Sequence, residues 1–120
     1  VQLQGRLNMT ELQIIYVKDC IKAKDMHRFY IWSEWLKVRK RVLDLDKDEC
    51  QDCKAKGIYT KATTVHHINH VKNRPDLALE IYTNDGDTRR RNLVSLCHDC
   101  HEIRHGRKYS DRTALTAERW

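Results

Sequence analysis

The chain of 120 residues is 40% hydrophobic and 33% charged, contains one Phe and carries a formal net charge of +6. This composition allows one small domain with a thin core, which a bound metal would reinforce. The sequence shows neither an apolar run long enough to cross a membrane nor a signal-peptide pattern, so we expect a cytoplasmic protein without membrane contacts. The basic charge favours a polyanionic partner.

The first predicted element is a helix from Thr10 to about Lys24. Thr10 and Gln13 have the spacing of a capping box, in which two side chains satisfy backbone N–H groups at a helix start. Met9, just before this cap, would suit as an initiator, so residues 1–8 would be either upstream sequence or an artificial addition. Apolar residues recur at near-helical spacing: Leu12, Tyr16 and Ala23.

A second helix is predicted by an apolar stripe for which Ser33 would serve as the N-cap. The stripe consists of Phe29, Trp32, Leu36 and Leu43, with Trp35 and Val42 beside them. The opposite face is basic and contains Lys37, Arg39, Lys40 and Arg41. Two interpretations of this face stay open: a solvated helix surface, or a ridge that contacts phosphates through Lys37 and Lys40. The aromatic side chains fall on the apolar side, which favours core packing over base stacking.

Four of the five cysteines form two Cys-x-x-Cys pairs: Cys50 with Cys53, and Cys97 with Cys100. Two such pairs supply the four thiolates of a closed, tetrahedral structural zinc site. Disulfides are the less favoured alternative, because the sequence lacks a secretory context. The fifth cysteine, Cys20, fits a small buried hydrophobic residue of the first helix.

A strand, a loop, a second strand and a helix are predicted around these cysteines. The β-branched run 62–65 reads as a strand that ends at His66-His67, and Leu93–Leu96 reads as a return strand. Between them, 69–91 carries turn residues and an arginine run, which predict an extended surface loop. A short helix from Asp99 onward would end at Gly106, a residue suited to the position after a helix.

Two histidines of this last helix stand four residues apart, so both project from one helical face. His101 and His105, together with His66, would form a site of three nitrogen ligands that leaves coordination positions open. A closed metal site builds a fold, whereas an open one can accept a phosphate.

These residues resemble the HNH nucleases, the ββα-metal family, and in particular the small HNH proteins of phages. The resemblance covers Cys50 to His105 and is carried by the cysteine pairs, Val65–Ile68, Asn92-Leu93 and Leu96–His101. The segment from Phe29 to Arg39 is similar to the helix that precedes the domain in those phage proteins. An α+β fold follows: a helical segment at residues 1–47, a zinc-stapled ββα-metal domain at 48–107 and a tail at 108–120.

The resemblance implies a role for each motif residue. His67 would be the general base, and Asn92 would tether the loop and orient that base. His66, His101 and His105 would bind the catalytic divalent ion. A structural histidine bonded to the backbone is the alternative for His67, but a position next to a metal ligand argues against it.

The implied activity is metal-dependent hydrolysis of DNA phosphodiester bonds, by nicking or by double-strand cleavage, with weak sequence preference. Magnesium or manganese is the expected catalytic ion, and nickel and zinc also suit nitrogen ligands. The candidate DNA-binding residues are Arg104, Arg89, Arg90, Arg91, Lys37 and Lys40; for the arginine run, solvated loop charge is the alternative.

The resemblance further suggests a monomer or weak dimer in the bacterial host cytoplasm that assists the large subunit of a phage terminase in genome packaging. The alternative function is a non-catalytic zinc-ribbon module that binds nucleic acid; a zinc domain that binds only protein is a third. Both explain the cysteines and neither explains why four histidines would converge.

Overall fold

The computed structural model describes residues 8–106. The elements, in chain order, are α1 (Glu11–Lys22), α2 (Met26–Tyr30), α3 (Ser33–Leu45), α4 (Gln51–Ala55), β1 (Thr64–His67), a 3₁₀ turn (Pro75–Leu77), β2 (Tyr82–Asp85), β3 (Thr88–Arg91), β4 (Leu93–Leu96) and α5 (His98–Arg104). Helices with small sheets confirm the α+β class. None of the described helices combines the length and apolarity needed to span a membrane.

Within the described residues, the chain divides into two compact units. One comprises residues 8–38 and 67–92, and the other comprises 39–66 and 93–106. The domain boundaries expected after residues 47 and 107 stay a prediction, and the tail at 108–120 lies outside the described residues.

Helix α1 begins as its sequence predicts. The Thr10 side chain accepts a hydrogen bond from Gln13 N at 3.1 Å, and Gln13 Oε1 accepts one from Thr10 N at 2.9 Å. Val17 and Cys20 are the buried residues of this helix, as expected for Cys20. The assignment of Leu12 to the apolar stripe is wrong, since Leu12 is 78% exposed. It lies five residues before Val17, about 140° around the helix.

The second predicted stripe is interrupted, because α2 ends before α3 begins. Ser33 is the first residue of α3 rather than its cap. Trp35, Val38 and Val42 are buried at spacings of three and four residues, whereas Leu36 is 46% exposed, so its assignment to the stripe is wrong. A position adjacent to Trp35 lies about 100° away around the helix and therefore leaves the buried face.

The surface loop predicted for 69–91 is also wrong in part, since it contains a hairpin. Strands β2 and β3 pair antiparallel, with Tyr82 opposite Arg91 at the open end. Gly86 follows β2 with a φ of +67°, the left-handed backbone that two-residue hairpin turns require and that glycine adopts without penalty. Of the residues interpreted as loop signals, Gly86 lies in the turn of this hairpin, the arginine run lies on β3 and Pro75 begins the 3₁₀ turn.

A second two-stranded sheet pairs β1 with β4. Thr63 N donates to Leu96 O at 3.0 Å, just before β1 begins. All four residues of β4 are buried, and the chain passes directly from β4 into α5. The predicted return strand is therefore confirmed, whereas the first strand begins later than expected and includes His66 and His67. These elements provide the strand, strand and helix order predicted from the sequence.

Candidate functional site

The four paired cysteines converge in one cluster. Their sulfur atoms all lie within 4.8 Å of one another, with Cys53 Sγ at 3.9 Å from Cys97 Sγ and at 3.6 Å from Cys100 Sγ. Two sulfurs bound at 2.3 Å to one tetrahedral zinc ion would be about 3.8 Å apart. The cysteines are free thiols, so the cluster can hold a metal ion.

Two short helices aim these thiols at a common point. Cys50 is the N-cap of α4 and its sulfur accepts a hydrogen bond from Cys53 N at 3.5 Å; Cys97 is the N-cap of α5. Burial is the first cause that raises the pKa of Cys100 and of Cys97, followed for Cys100 by its hydrogen bond with Cys53. Burial alone therefore favours neutral thiols, and a bound cation would provide the charge that favours thiolates.

A second cluster consists of His66, His101 and His105, whose ligand nitrogens also lie within 4.8 Å of one another. His101 Nε2 and His105 Nε2 are 3.1 Å apart. Two nitrogens on one metal ion at about 2.05 Å would be separated by about 2.9 Å at a right angle and about 3.4 Å at a tetrahedral angle. The three rings are nearly perpendicular, with interplanar angles of 74°, 88° and 86°. Such a set leaves several coordination positions for water or substrate.

The last helix and its two caps contribute candidate ligands to both clusters. Cys97 caps α5, Cys100 and His101 lie within it, and His105 is its C-cap residue. Gly106 follows with a φ of +83°, which ends the helix where the sequence predicts. A helix of seven residues thus carries residues of both candidate metal centres.

His67 lies in an aromatic environment within the other unit. Its ring stacks on Trp35 with 4.7 Å between ring centroids, Phe29 is 5.9 Å away, and the residue is 6% exposed. His67 Nε2 is 2.9 Å from Ala78 O. A carbonyl oxygen only accepts hydrogen bonds, so in the neutral ring Nε2 carries the proton and Nδ1 has the lone pair. The backbone contact considered as an alternative for His67 is therefore present, and it leaves the basic nitrogen at Nδ1.

Asn92 is fully buried and uses all four hydrogen-bonding positions of its side chain. Its Nδ2 donates to Leu77 O and to Glu80 O, both at 2.9 Å. Its Oδ1 accepts from Asn69 N at 3.2 Å and from Asn69 Nδ2 at 2.8 Å. This side chain thereby fastens the segment that contains Ala78, as the predicted tethering role requires.

Comparisons with known proteins agree with this geometry. A family model described as HNH endonuclease matches residues 50–107. This segment belongs to the HNH endonuclease family. A crystal structure of the HNH endonuclease of the deep-sea thermophilic bacteriophage GVE2, with manganese ion, is similar over 90% of this chain and 99% of that chain. The TM-score is 0.58 and the sequence identity is 27%. No curated protein matches the chain. The family match and the structural similarity identify the protein as a nuclease.

The candidate DNA-binding residues have varied surroundings. Arg104 forms a bidentate ion pair with Asp52, with both contacts at 2.7 Å. This hydrogen bond is the first cause that raises the pKa of Arg104 and lowers that of Asp52. Lys37 and Lys40 are exposed and form ion pairs on α3, at 4.0 Å with Glu34 and at 3.2 Å with Asp44 respectively.

The arginine run lies on β3 of the hairpin. The Arg89 guanidinium carbon is 3.9 Å from the centroid of the Tyr82 ring, and that of Arg91 is 5.8 Å away. Arg89 and Arg90 are exposed, whereas Arg91 is half-buried. Any DNA contact of these six basic residues stays a prediction.

Sequence reasoning did not find three contributors to the surroundings of the predicted base, His67. Trp35 was assigned to the core without its stack on His67, and the carbonyl of Ala78 has no sequence signal. Asn69 was interpreted only as the start of a loop. Its position two residues after His67, just beyond the end of β1, was the available hint.

Proposed function

We propose that this protein is a metal-dependent endonuclease that hydrolyses phosphodiester bonds in DNA. The observation that carries the proposal is the cluster of His66, His101 and His105 within a chain of the HNH family. Three imidazoles with open positions suit an ion that must also contact a substrate, whereas a structural site is closed by four protein ligands.

The two donor sets fit different ions. Four thiolates suit structural zinc, and three neutral nitrogens with open positions accept manganese, magnesium, nickel or zinc. Manganese in the crystal structure of the phage GVE2 relative supports manganese or magnesium as the working ion here. When bound, the ion supplies positive charge that neutralises the phosphate and stabilises the departing 3′ oxygen. By family resemblance, the products carry 5′-phosphate and 3′-hydroxyl ends.

His67 acts as the general base in this proposal. Its Nδ1 accepts a proton from the attacking water, while Nε2 keeps its own proton against Ala78 O. The stack on Trp35 restricts rotation of the ring, so the basic nitrogen keeps one direction. Asn92 takes no part in proton transfer and holds the backbone against which His67 is oriented.

Basic side chains would bind the DNA on either side of the cleaved bond. We assign this role to Arg89, Arg90 and Arg91 of the hairpin and to Lys37 and Lys40 of α3; Arg104 joins them only if its pair with Asp52 opens. Contacts to phosphates carry no base information, which agrees with weak sequence preference. One active site cuts one strand, so a monomer or weak dimer would nick DNA, and double-strand breaks would need a second event.

The phage origin of the relative supports a phage setting for this protein. We propose that it works in the cytoplasm of a bacterial host, where it would assist the large terminase subunit in genome packaging. A non-catalytic zinc-ribbon module would leave the three-histidine cluster without a purpose, and the nuclease family of residues 50–107 argues against it.

The deciding experiment compares nicking of supercoiled plasmid by the wild type and by His67→Ala, with manganese, with magnesium and with a chelator. We expect His67→Ala to lower the rate at least about 100-fold, as loss of a general base does, while zinc content and melting temperature persist. His27→Ala, at an exposed helical position, is the matched control. Unchanged nicking by His67→Ala, or nicking in excess chelator, would refute the proposal.

A further inference from the structure

Two orientations are possible for the side-chain amide of Asn92, and its neighbours select one. Leu77 O and Glu80 O can only accept hydrogen bonds, so the NH₂ group must face them. The backbone N–H of Asn69 can only donate, so the oxygen must face it. The side chain of Asn69 adds the shortest of the four contacts, 2.8 Å from Nδ2 to Asn92 Oδ1.

Asn92 donates to the carbonyls of Leu77 and Glu80, which lie on either side in sequence of the Ala78 carbonyl that His67 contacts. Leu77 precedes Ala78 and Glu80 follows it by two residues, and Ala78 O lies 2.9 Å from His67 Nε2. Further bonds close this segment, from Ala78 N to Pro75 O at 3.3 Å and from Glu80 N to Leu77 O at 3.1 Å. The position of Ala78 O therefore depends on both donor bonds of Asn92.

We propose that Asn69 is a positioning residue for His67, acting through Asn92 and Ala78. Its side chain adds the shortest contact that favours the observed direction of the Asn92 amide, and this direction keeps Ala78 O in place to hold the proton on His67 Nε2 and the lone pair on Nδ1. The inference rests on the proposed function, in which His67 Nδ1 accepts the proton of water. It extends the orienting machinery to a residue that belongs to neither metal cluster.

A reversed amide shows why the side chain of Asn69 matters. With Asn92 rotated by half a turn, its oxygen would face Leu77 O and Glu80 O, and its NH₂ group would face the two donors of Asn69. The three contacts to the backbone groups Leu77 O, Glu80 O and Asn69 N would then pair like with like inside a buried site, where unsatisfied polar groups are costly. Only the side chain of Asn69 could adapt, by turning its own oxygen toward the reversed amide. Two donors face Asn92 Oδ1 and favour the observed orientation of this amide: Asn69 N and Asn69 Nδ2.

Asn69→Asp tests this by replacing a donor with an acceptor at nearly constant volume. A carboxylate oxygen beside Asn92 Oδ1 favours the reversed amide, which withdraws both donor bonds from the Ala78 segment. We expect kcat for plasmid nicking to fall about 10- to 100-fold, the range for lost supporting hydrogen bonds, with KM within about twofold. Asn73→Asp introduces the same charge at an exposed position and should retain wild-type kcat.

A second readout follows the His67 ring directly. Two-bond ¹H–¹⁵N spectra of the zinc-loaded full chain in magnesium buffer should show the Nε2–H form of His67 in the wild type and in Asn73→Asp. Asn69→Asp should show a mixture with the Nδ1–H form. Asn69→Ala keeps the backbone donor, so it should show a smaller shift in the same direction and a smaller loss of kcat; it serves as the test should Asn69→Asp fail to fold.

The outcomes separate this inference from the proposed function. Asn69→Asp, or Asn69→Ala in its place, could keep wild-type kcat and the Nε2–H form of His67 while His67→Ala is inactive. That result would refute the positioning role of Asn69 and leave the general-base role of His67 intact. A lower kcat with an unchanged tautomer also refutes the positioning role, since the effect would not pass through His67. If His67→Ala itself nicks normally, the proposed function fails first.

Discussion

Removing one thiol of the cysteine cluster should disable the histidine cluster, although no histidine is changed. Cys53→Ser is the informative substitution, because Cys53 belongs to α4, whereas His101 lies within α5 and His105 is its C-cap. The effect of this substitution on His101 and His105 can therefore pass only through the metal ion that Cys53 would share with the cysteines of α5, and through the packing around that ion. Cys97 or Cys100 would disturb α5 directly.

The expected loss of manganese affinity at the histidine cluster follows from the shortness of α5. Isolated helices shorter than about 12–15 residues are marginal in water, and α5 has seven residues. Structural zinc contributes about 10–16 kcal/mol of apparent binding free energy in zinc-finger peptides, comparable to the entire stability of a small domain, about 5–15 kcal/mol. A 100-fold loss of manganese affinity corresponds to about 2.7 kcal/mol. A loss of at least that size is expected once α5 no longer holds its two histidines.

Calorimetric titration of manganese into zinc-loaded wild type, Cys53→Ser and Cys20→Ser measures this linkage. Cys20 is a buried cysteine of α1 outside the cluster, so Cys20→Ser controls for the loss of a buried thiol. Metal analysis should find zinc in the control and little in Cys53→Ser. Wild-type manganese affinity in a zinc-free Cys53→Ser protein would refute the reasoning, because the histidine cluster would then assemble without the cysteine cluster.

Three further outcomes test the surroundings of the site. Trp35→Ala should lower the free energy of unfolding in urea by about 3–5 kcal/mol, since it removes a large side chain that is 2% exposed; a loss below about 1 kcal/mol would contradict the packing around His67. Arg89→Gln should reduce the salt dependence of DNA binding by about 0.9 in the slope of log K against log salt if it contacts one phosphate; an unchanged slope would place Arg89 off the DNA. Asp52→Asn should cost about 1 kcal/mol or less, equally at pH 6 and pH 8. The pKa of Asp52 is lowered first by its hydrogen bond from Arg104, so this stability is present above the ordinary carboxyl pKa and is lost only as the pH falls through the lowered one.

Local sequence patterns predicted the parts of the fold that are decided locally. The capping box of Thr10 and Gln13 involves neighbours in sequence, and the two bonds form as expected. The same holds for His101 and His105, whose spacing of four residues on a helix brings their nitrogens to 3.1 Å. Helical periodicity predicted this pair alone, whereas the convergence of His66 with it, and of the two cysteine pairs with each other, was predicted from ligand types and from the resemblance to HNH nucleases.

Features that depend on distant partners were not predictable in the same way. Leu12 and Leu36 have apolar side chains at plausible spacings, but the surface that each helix packs against decides which positions are buried. The hairpin was missed because Gly and Asp mark loops and tight turns alike. The contacts of Asn69 with Asn92 join residues that are 23 positions apart, and no periodicity connects them.

The hairpin of β2 and β3 occupies a stretch of sequence that contributes none of the cysteines or histidines of the two clusters. Both of its ends are anchored, since Asn92 N donates to Ile81 O at 2.7 Å across its base. Longer insertions at surface turns cost little entropy, so a ribbon of different length or sequence could replace this one without altering any ligand. Substrate preference in such a chain can thus change through replacement of this hairpin alone, while the residues that carry out hydrolysis stay the same.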